Sequence, residues 1–442
     1  MSDTHSEAAR AIAFVRTDML PEQEPPATTI GFVGWLRKNL FSSIPNSILT
    51  VIALLFIAYV MSGLLPWLFQ SVWNAGSLNE CREIMNATWG DTHGHACWGV
   101  VKERWLQLLY GFYPDHLYWR VNLAFVLTLV AMAPVLFSEQ LPRKMLIVTA
   151  LYPFVMPWLL WGGSIWGPIA AALGFVIGYY AYKILEPIAG SLAAIIAAVL
   201  LPVIWWFGLA GLITGALTDL MPIGIEAVQS RKFGGFMLAI LLGIVAIGCS
   251  LPIGIVLALG RQSDLLLVKA ICVGFIEFIR GVPLITLLFV ASLLLNLFLP
   301  PGTNFDIILR VMIMMTLFAA AYMAEVIRGG LAALPKGQYE GADSLGLNYW
   351  QAQRLIIMPQ ALKISIPGIV STFIGIFKDT TLVSIIGLFD VIGLSNAIRA
   401  DTAWNGIYWE LFAFIAFLFF IVCFSMSRYS MYLERKLQTG HN

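Results

Sequence analysis

The residues best suited to recognition fall in one charged stretch, Arg328 to Lys363, which reads RGGLAALPKGQYEGADSLGLNYWQAQRLIIMPQALK. Glu340 and Asp343 stand close to a glycine turn. Gly341 and Ala342 give the same segment a small face that another protein can approach closely. Pro335 and Gly337 break one element, and Gln338 to Leu345 can form a short helix. Gly346 is placed to end that helix and Asn348 to cap the next. The second helix, Tyr349 to Ile357, is expected to stop before Pro359. Two short helices at a sharp angle between apolar runs make a docking element, in which Glu340 offers a charge to a basic partner group. A helix lying on a bilayer surface would instead carry a Lys/Arg-rich polar face.

Other polar residues interrupt apolar runs, where a central charge costs about 2.5–3.5 kcal/mol on insertion scales. Lys378 and Asp379 break the run Ile364–Leu388 and are candidates to line a polar path through the bundle. Thr380 and Thr381, with Ser371, Thr372 and Ser384, can add hydroxyl contacts, although hydroxyls that pack helices are as common. Glu277 with Arg280, and Glu325 with Arg328, sit three apart, so pairing along their own helices is the plainer reading. Cys81 and Cys97 lie in a loop between apolar runs, and a disulfide closing that loop is the leading reading. Free thiols are the alternative. The intervening His93 and His95 superficially complete four metal ligands, but His-x-His points its imidazoles to opposite sides of an extended chain and fits no common zinc spacing. No metal or other cofactor is expected. Cys249, Cys272 and Cys423 lie in apolar runs and read as core packing. Trp158, Trp161, Trp166, Trp205 and Trp206 lie near run ends and read as an interfacial belt.

The elements that must position these residues are membrane helices. Of 442 residues, 59% are hydrophobic and 12% charged, with 26 basic and 25 acidic residues for a net charge of +1. Mean hydropathy is +0.83. This composition excludes a soluble enzyme, a nucleic-acid binder and a disordered scaffold. The expected fold is an all-α, polytopic membrane helical bundle of about ten spans. Residues 1–46 form a polar tail with Arg10, Arg16, Arg37 and Lys38, too long for a cleaved signal and read as cytoplasmic and partly disordered around Pro21, Pro25 and Pro26. Residues 47–217 hold a first group of spans: Ile48–Phe69, Val121–Phe137, Met145–Trp161, Ile169–Leu185 and Ile188–Ile213. The loop 70–118 within them is read as periplasmic. Residues 218–437 hold the second group: Phe236–Leu259, Val268–Leu299, Ile307–Ile327, Ile364–Leu388 and Tyr408–Met426. Pro283, with Glu277 and Arg280, should kink the second of these or turn it toward protein. Loop charges favour a topology with both termini and the 328–363 loop in the cytoplasm.

The spacing Glu340-Gly341-Ala342, then Gly346, then Ile356-Ile357-Met358-Pro359 resembles the coupling motif of ABC-importer permeases. Gly341 stands where that family has Ala, and Met358 where it has Leu; both keep a small or apolar residue. Flanking segments resemble the polar-amino-acid branch: Phe278-Ile279-Arg280-Gly281-Val282-Pro283-Leu284, Ala324-Glu325-Val326-Ile327-Arg328-Gly329-Gly330, Pro359-Gln360-Ala361-Leu362 and Lys378-Asp379-Thr380-Thr381-Leu382. The resemblance covers roughly residues 233 to 437. It implies a MetI-like permease core with extra N-terminal spans in a bacterial inner membrane, and Glu340, Gly341, Ala342, Gly346 and Pro359 as the coupling residues. The implied partners are a second permease subunit, two ATP-binding subunits and a periplasmic amino-acid-binding protein, with an L-amino acid as cargo. The long N-terminal extension resembles that of the larger permease subunits of broad-specificity L-amino-acid importers. The chain has no GxxxxGK[ST] phosphate loop, so ATP hydrolysis is expected on another subunit. An ion-coupled carrier is the first rival reading, weakened because no internal repeat is evident. A membrane enzyme or lipid-handling scaffold is the second, and none of the five histidines lies inside a span.

Overall fold

The computed structural model describes residues 31–92, 94–137, 139–294 and 305–438. The expectations for the tail before Gly31, for His93 and for the end of the run Val268–Leu299 lie outside the described residues. The chain forms two compact units, one of residues up to Ser71 with Met85–Ala96, the other of Val72–Ile84 with everything from Cys97 onward.

In the first unit a short helix, α1 (Gly31–Asn39), precedes α2 (Ile44–Phe69). Ser43 caps α2 by accepting the Asn46 N–H, and Pro45 suits its first turn because the missing N–H has no intrahelical partner there. The 26 residues of α2 have a mean hydropathy of 2.6 in their most apolar window. At 1.5 Å per residue the helix spans about 39 Å, more than a hydrocarbon core. Near this unit's end the His95 ring stacks on Trp89 with centroids 4.5 Å apart.

The second unit opens with most of the outer loop: the start of α3 (Leu78–Trp89), then α4 (Gly99–Tyr110). Cys81 and Cys97 are paired in a disulfide with Cα atoms 6.1 Å apart. The Cys97 N–H donates to buried Glu410 at 2.8 Å, and Arg104 pairs with Asp401 at 2.6 Å. The loop is thus fixed to the segment that leads into the last helix of the chain.

Three helical stretches follow: α5 (Tyr118–Leu136), α6 (Leu146–Trp161), and α7 (Trp166–Ile204), which runs on through a π-turn into α8 (Ala210–Leu220). The stretch Trp166–Leu220 has 55 residues, well over the roughly 20 that a bilayer needs. Gly190, at φ 82° and ψ 167°, interrupts its helical backbone. Two-residue strands β1 (Gly163–Ser164) and β2 (Gly224–Ile225) pair antiparallel across its ends. The stretch therefore leaves and returns to one place, as a hairpin of two arms. Trp205 and Trp206 donate their indole N–H groups to the carbonyls of Ala170 and Ala171, at 2.8 and 3.2 Å, pinning one arm to the other. These tryptophans are clasps as well as run-end residues.

The remaining helices are α9 (Gly235–Arg261), α10 (Leu266–Gly281), α11 (Leu284–Phe289), α12 (Ile307–Ala332), α13 (Lys336–Ser344), α14 (Tyr349–Ala352), α15 (Met358–Asp379), α16 (Val391–Ala400) and α17 (Trp409–Gln438). Among the described residues eight helical stretches are long and apolar enough to cross a membrane, nine if the pair Leu266–Gly281 and Leu284–Leu294 is one span. That pair is bent by 102°, at the proline that removes a helical N–H. The expected ten spans differ from this number because the hairpin Trp166–Leu220 is one continuous stretch folded on itself at Gly190.

Helices α9, α12 and α15 pack closely along small residues. A Cβ on Gly330 of α12 would sit 2.0 Å from Ser365 Oγ and 2.5 Å from Ala361 O of α15, so only glycine permits this approach. Leu238, Leu242, Ile308, Val311 and Met315 are fully buried between the helices. Cys249, read from sequence as core packing, is exposed on α9, because an apolar run in a membrane helix faces lipid as readily as protein.

At the end of the bundle away from α13, Gly235 donates its N–H to Phe389 O at 2.8 Å. Next to it Asp390 is wholly buried and caps α16 by accepting the Gly393 N–H at 2.9 Å. Its other carboxylate oxygen has no hydrogen-bond partner among the described residues. Burial pushes the Asp390 carboxyl up from 3.8 to about 6, against the lowering effect of the backbone N–H groups of Gly393 and Ile392. A carboxyl with a raised folded value binds its proton more tightly when folded. Its stabilising contribution is therefore full below about pH 4 and lost as pH rises through about 6, a change of about 3 kcal/mol. Asp390→Asn keeps the cap and removes the titration. The melting temperature of the purified wild-type protein should fall between about pH 4 and 7, and that fall should be flatter in the variant.

Candidate functional site: an elbow between two membrane helices

The segment from Leu331 to Met358 leaves the bundle at the end of α12 and rejoins it at α15. Helix α12 runs to Ala332, so Arg328 and the two glycines after it belong to the span rather than the loop. Pro335, at φ −60° and ψ 140°, ends the extension and starts α13. At the far end of α13, the Gly346 N–H donates to Asp343 O at 2.9 Å and the Leu347 N–H to Ala342 O at 3.2 Å. This pair of bonds is a Schellman motif, and it needs a left-handed residue at Gly346, whose φ is 69°. Asn348 then opens α14 with a capping box. It accepts the Gln351 N–H at 2.9 Å and donates its own N–H to the Gln351 side chain at 3.0 Å.

The second helix does not stop before Pro359. It passes through a π-turn, Gln353–Ile357, directly into α15. The wider turn takes up the proline, which has no N–H to give, and lets the elbow's second arm continue as a membrane span. Gln360 on α15 donates to the Gln338 side chain on α13 at 2.9 Å, which closes the elbow on itself.

The two faces of α13 differ. Ala342 is 1% exposed, and Tyr339 packs on a core cluster that includes Ile327, Leu331, Leu334 and Ile357. Burial raises the Tyr339 phenol above its usual range. The opposite face presents Gly337, Glu340, Gly341 and Ser344, all exposed and at helical spacing. A Cβ on Gly337 or Gly341 would meet nothing within 4 Å. Leu345 is 74% and Trp350 70% exposed at the tip. The Glu340 carboxylate enters no ion pair among the described residues. Of the residues expected to act in coupling, Glu340, Gly341 and Pro359 are exposed, Gly346 shapes the turn, and Ala342 faces the permease's own core.

Above the elbow, three arginines surround Glu325 of α12. Arg328 donates its Nε to Glu325 at 2.6 Å, Arg261 of α9 lies at 3.2 Å and Arg280 of α10 at 3.5 Å. Glu277 pairs with Arg261 at 2.8 Å, not with Arg280 on its own helix. Pairing within one helix thus accounts for Glu325 and Arg328 alone. Arg261 was not singled out from the sequence, because its partners Glu277 and Glu325 lie 16 and 64 residues away.

The other polar candidates sit at the end of α15 and in the 3-10 turn after it. Thr380 is fully buried and donates to Phe377 O at 2.8 Å, Thr381 to Lys378 O and Ser384 to Thr381 O, each at 2.9 Å. Thr372 donates to Gly368 O. These hydroxyls satisfy their own helix. Lys378 is exposed and Asp379 partly buried.

Fold and elbow together define a multi-pass membrane permease. The sequence profile of the family described as the inner membrane component of binding-protein-dependent transport systems matches residues 250–439. The chain is 56% identical, over the full length of both, to the glutamate/glutamine/aspartate/asparagine transport system permease protein BztC of Rhodobacter capsulatus. It is 40% identical to the inner membrane amino-acid ABC transporter permease protein YhdY of Escherichia coli, over 92% of this chain and 93% of the other. A solved structure, described as the crystal structure of an amino acid ABC transporter with histidines, is 30% identical over 46% of this chain and 91% of that one, with a TM-score of 0.41. The chain belongs to the family of inner-membrane permease components of binding-protein-dependent transport systems, and is a membrane-spanning permease subunit of an ABC importer.

The elbow's turn gives a direct test. Gly346→Val forces a β-branched side chain into the left-handed region, at a cost of about 1–2 kcal/mol or more. Amide hydrogen exchange in residues 336–352 should speed up about tenfold, with α9 and α12 unchanged. Unaltered exchange in the elbow would contradict the role given to this turn.

Proposed function

We propose that this permease carries L-amino acids across a bacterial inner membrane, driven by ATP hydrolysed on two partner subunits that grip the elbow. A second permease subunit completes the pathway, and a periplasmic amino-acid-binding protein delivers the cargo. The names of BztC and YhdY, both amino-acid permeases matched over nearly their whole length, support the substrate class. Glutamate, glutamine, aspartate and asparagine, named for BztC, are the first candidates. Lys378 and Asp379 are the candidate charges for the cargo's carboxylate and ammonium. Thr380 and Thr381 hold their backbone rather than offering free donors.

The observation that carries the reading is the outward stripe Gly337, Glu340, Gly341 and Ser344. It has a single carboxylate among small residues, flanked by exposed Leu345 and Trp350. Such a stripe lets a groove on a partner approach the helix backbone, and the buried side of α13 transmits the push to α12 and α15. The loop-charge bias favours a cytoplasmic elbow and cytoplasmic chain termini, on the side where ATP is available.

Glu340→Lys should leave membrane insertion intact and reduce ATP-driven uptake about tenfold or more, with weaker co-purification of the ATP-binding subunits. Wild-type uptake would overturn the coupling role. A cysteine at exposed Leu345 should react with an impermeant maleimide only in inside-out vesicles. Labelling of intact cells would invert the topology.

A further inference from the structure

The charges at the elbow end of the bundle do more than neutralise one another in pairs. Three guanidinium groups from three helices meet one carboxylate: Arg261 closes α9, Arg280 lies in the last turn of α10, and Arg328 follows Glu325 by one turn on α12. Their distances to the Glu325 carboxylate are 3.2 Å from Arg261, 3.5 Å from Arg280 and 2.6 Å from the Arg328 Nε. Glu277 shares the Arg261 Nη1 with Glu325, at 2.8 Å, and the Arg280 guanidinium lies over the Tyr322 ring, 5.5 Å from its centroid. The Glu325 side chain is 21% exposed and Arg261 24%, so water screens the cluster less than it would screen a surface pair. Behind it lies the apolar cluster of Ala258, Ile276, Met323, Ala324 and Ile327, drawn from the same three helices.

The position of this cluster is what gives it a role. Between the end of α12 and the start of α13 lie only Ala333, Leu334 and Pro335. Leu334 is 8% exposed, and the Ala333 N–H still bonds back to Gly329 O at 3.1 Å. A displacement of α13 is therefore passed along the chain to α12, within two turns of Glu325, as well as to α15 through the Gln338–Gln360 contact. Neither route by itself draws α9 and α10 along. With Glu325 holding Arg261 and Arg280, the ends of α9 and α10 must follow. Like charges would drive the three arginines apart if the carboxylate were neutral, leaving Glu277 as their one nearby anion in the cluster.

We propose that Glu325 is the joint that converts movement of the elbow into movement of three helices together, and so a positioning residue for transport. This rests on the coupling role of the elbow. A merely structural salt bridge would change stability and assembly; a joint changes the number of ATP molecules used per amino acid carried.

The test uses the full complex reconstituted in liposomes with its ATP-binding and receptor subunits. Glu325→Gln should assemble and hydrolyse ATP, yet raise the ATP-to-substrate ratio about tenfold, in the range of measured coupling energies. Arg261→Gln, which removes one arm and leaves Glu325 paired with Arg328, should raise it by a smaller factor, and Glu325→Asp should recover part of the loss. An unchanged ratio in Glu325→Gln would overturn the proposal. Should that variant fail to assemble, an unchanged ratio in Arg261→Gln overturns it instead. Glu340→Lys, measured alongside, separates the two readings. If that variant transports normally the elbow itself is not the coupling element, whereas if it uncouples and Glu325→Gln does not, only the joint is lost.

Discussion

A polypeptide that leaves a hydrocarbon-embedded bundle and re-enters it within about thirty residues must satisfy every backbone polar group on the way. This accounting shapes the elbow. The Asp343 and Ala342 carbonyls near the end of α13 are taken by the Gly346 and Leu347 amides, and the Gln351 amide in the first turn of α14 by the Asn348 side chain. The π-turn passes over Pro359 without a break. A segment closed in this way is held in one shape by its own hydrogen bonds. The outward stripe on α13 and the apolar anchorage of Tyr339 and Ala342 then give that piece two working sides.

The same economy governs charge. Glu325 and its arginines lie where the bundle meets the elbow, and each charged group there is paired with another. Pairing offsets desolvation, and its cross-helix geometry ties α9, α10 and α12 together, which an ion pair within one helix does not do. At the other end of the bundle Asp390 is a buried carboxyl held by one N-cap bond, on a tight crossing of Gly235 with Phe389. The two ends are built differently: one from compact ionic and apolar contacts beside the elbow, the other from backbone crossings and a disulfide-closed loop.

Much of this was legible in the sequence because its signals are local. Apolar runs near twenty residues, Pro335, Gly346 and Asn348 each act within a turn of their own position, and all three residues stand where the helices begin and end. The readings that needed revision concern contacts between elements distant in the chain. Pro359 was read as a stop because a proline ends an ordinary helix, and a preceding π-turn cannot be read from composition. Ala342 was read as part of the docking face, but which side of α13 faces the core depends on where α12 and α15 stand. Arg261 had no visible partner until α9 and α12 were brought side by side. The hairpin Trp166–Leu220 joins two runs because its helical bonding continues across most of the stretch, while Gly190 turns its direction.

The coupling proposed for α13 requires its exposed stripe to meet a motor subunit. An electron cryo-microscopy structure of the assembled transporter tests it most directly. The account predicts that Gly337, Glu340, Gly341 and Ser344 lie buried in a groove of an ATP-binding subunit, with a basic side chain within reach of Glu340. A structure in which these four residues face open solvent while the ATP-binding subunits grip another part of the chain would contradict it.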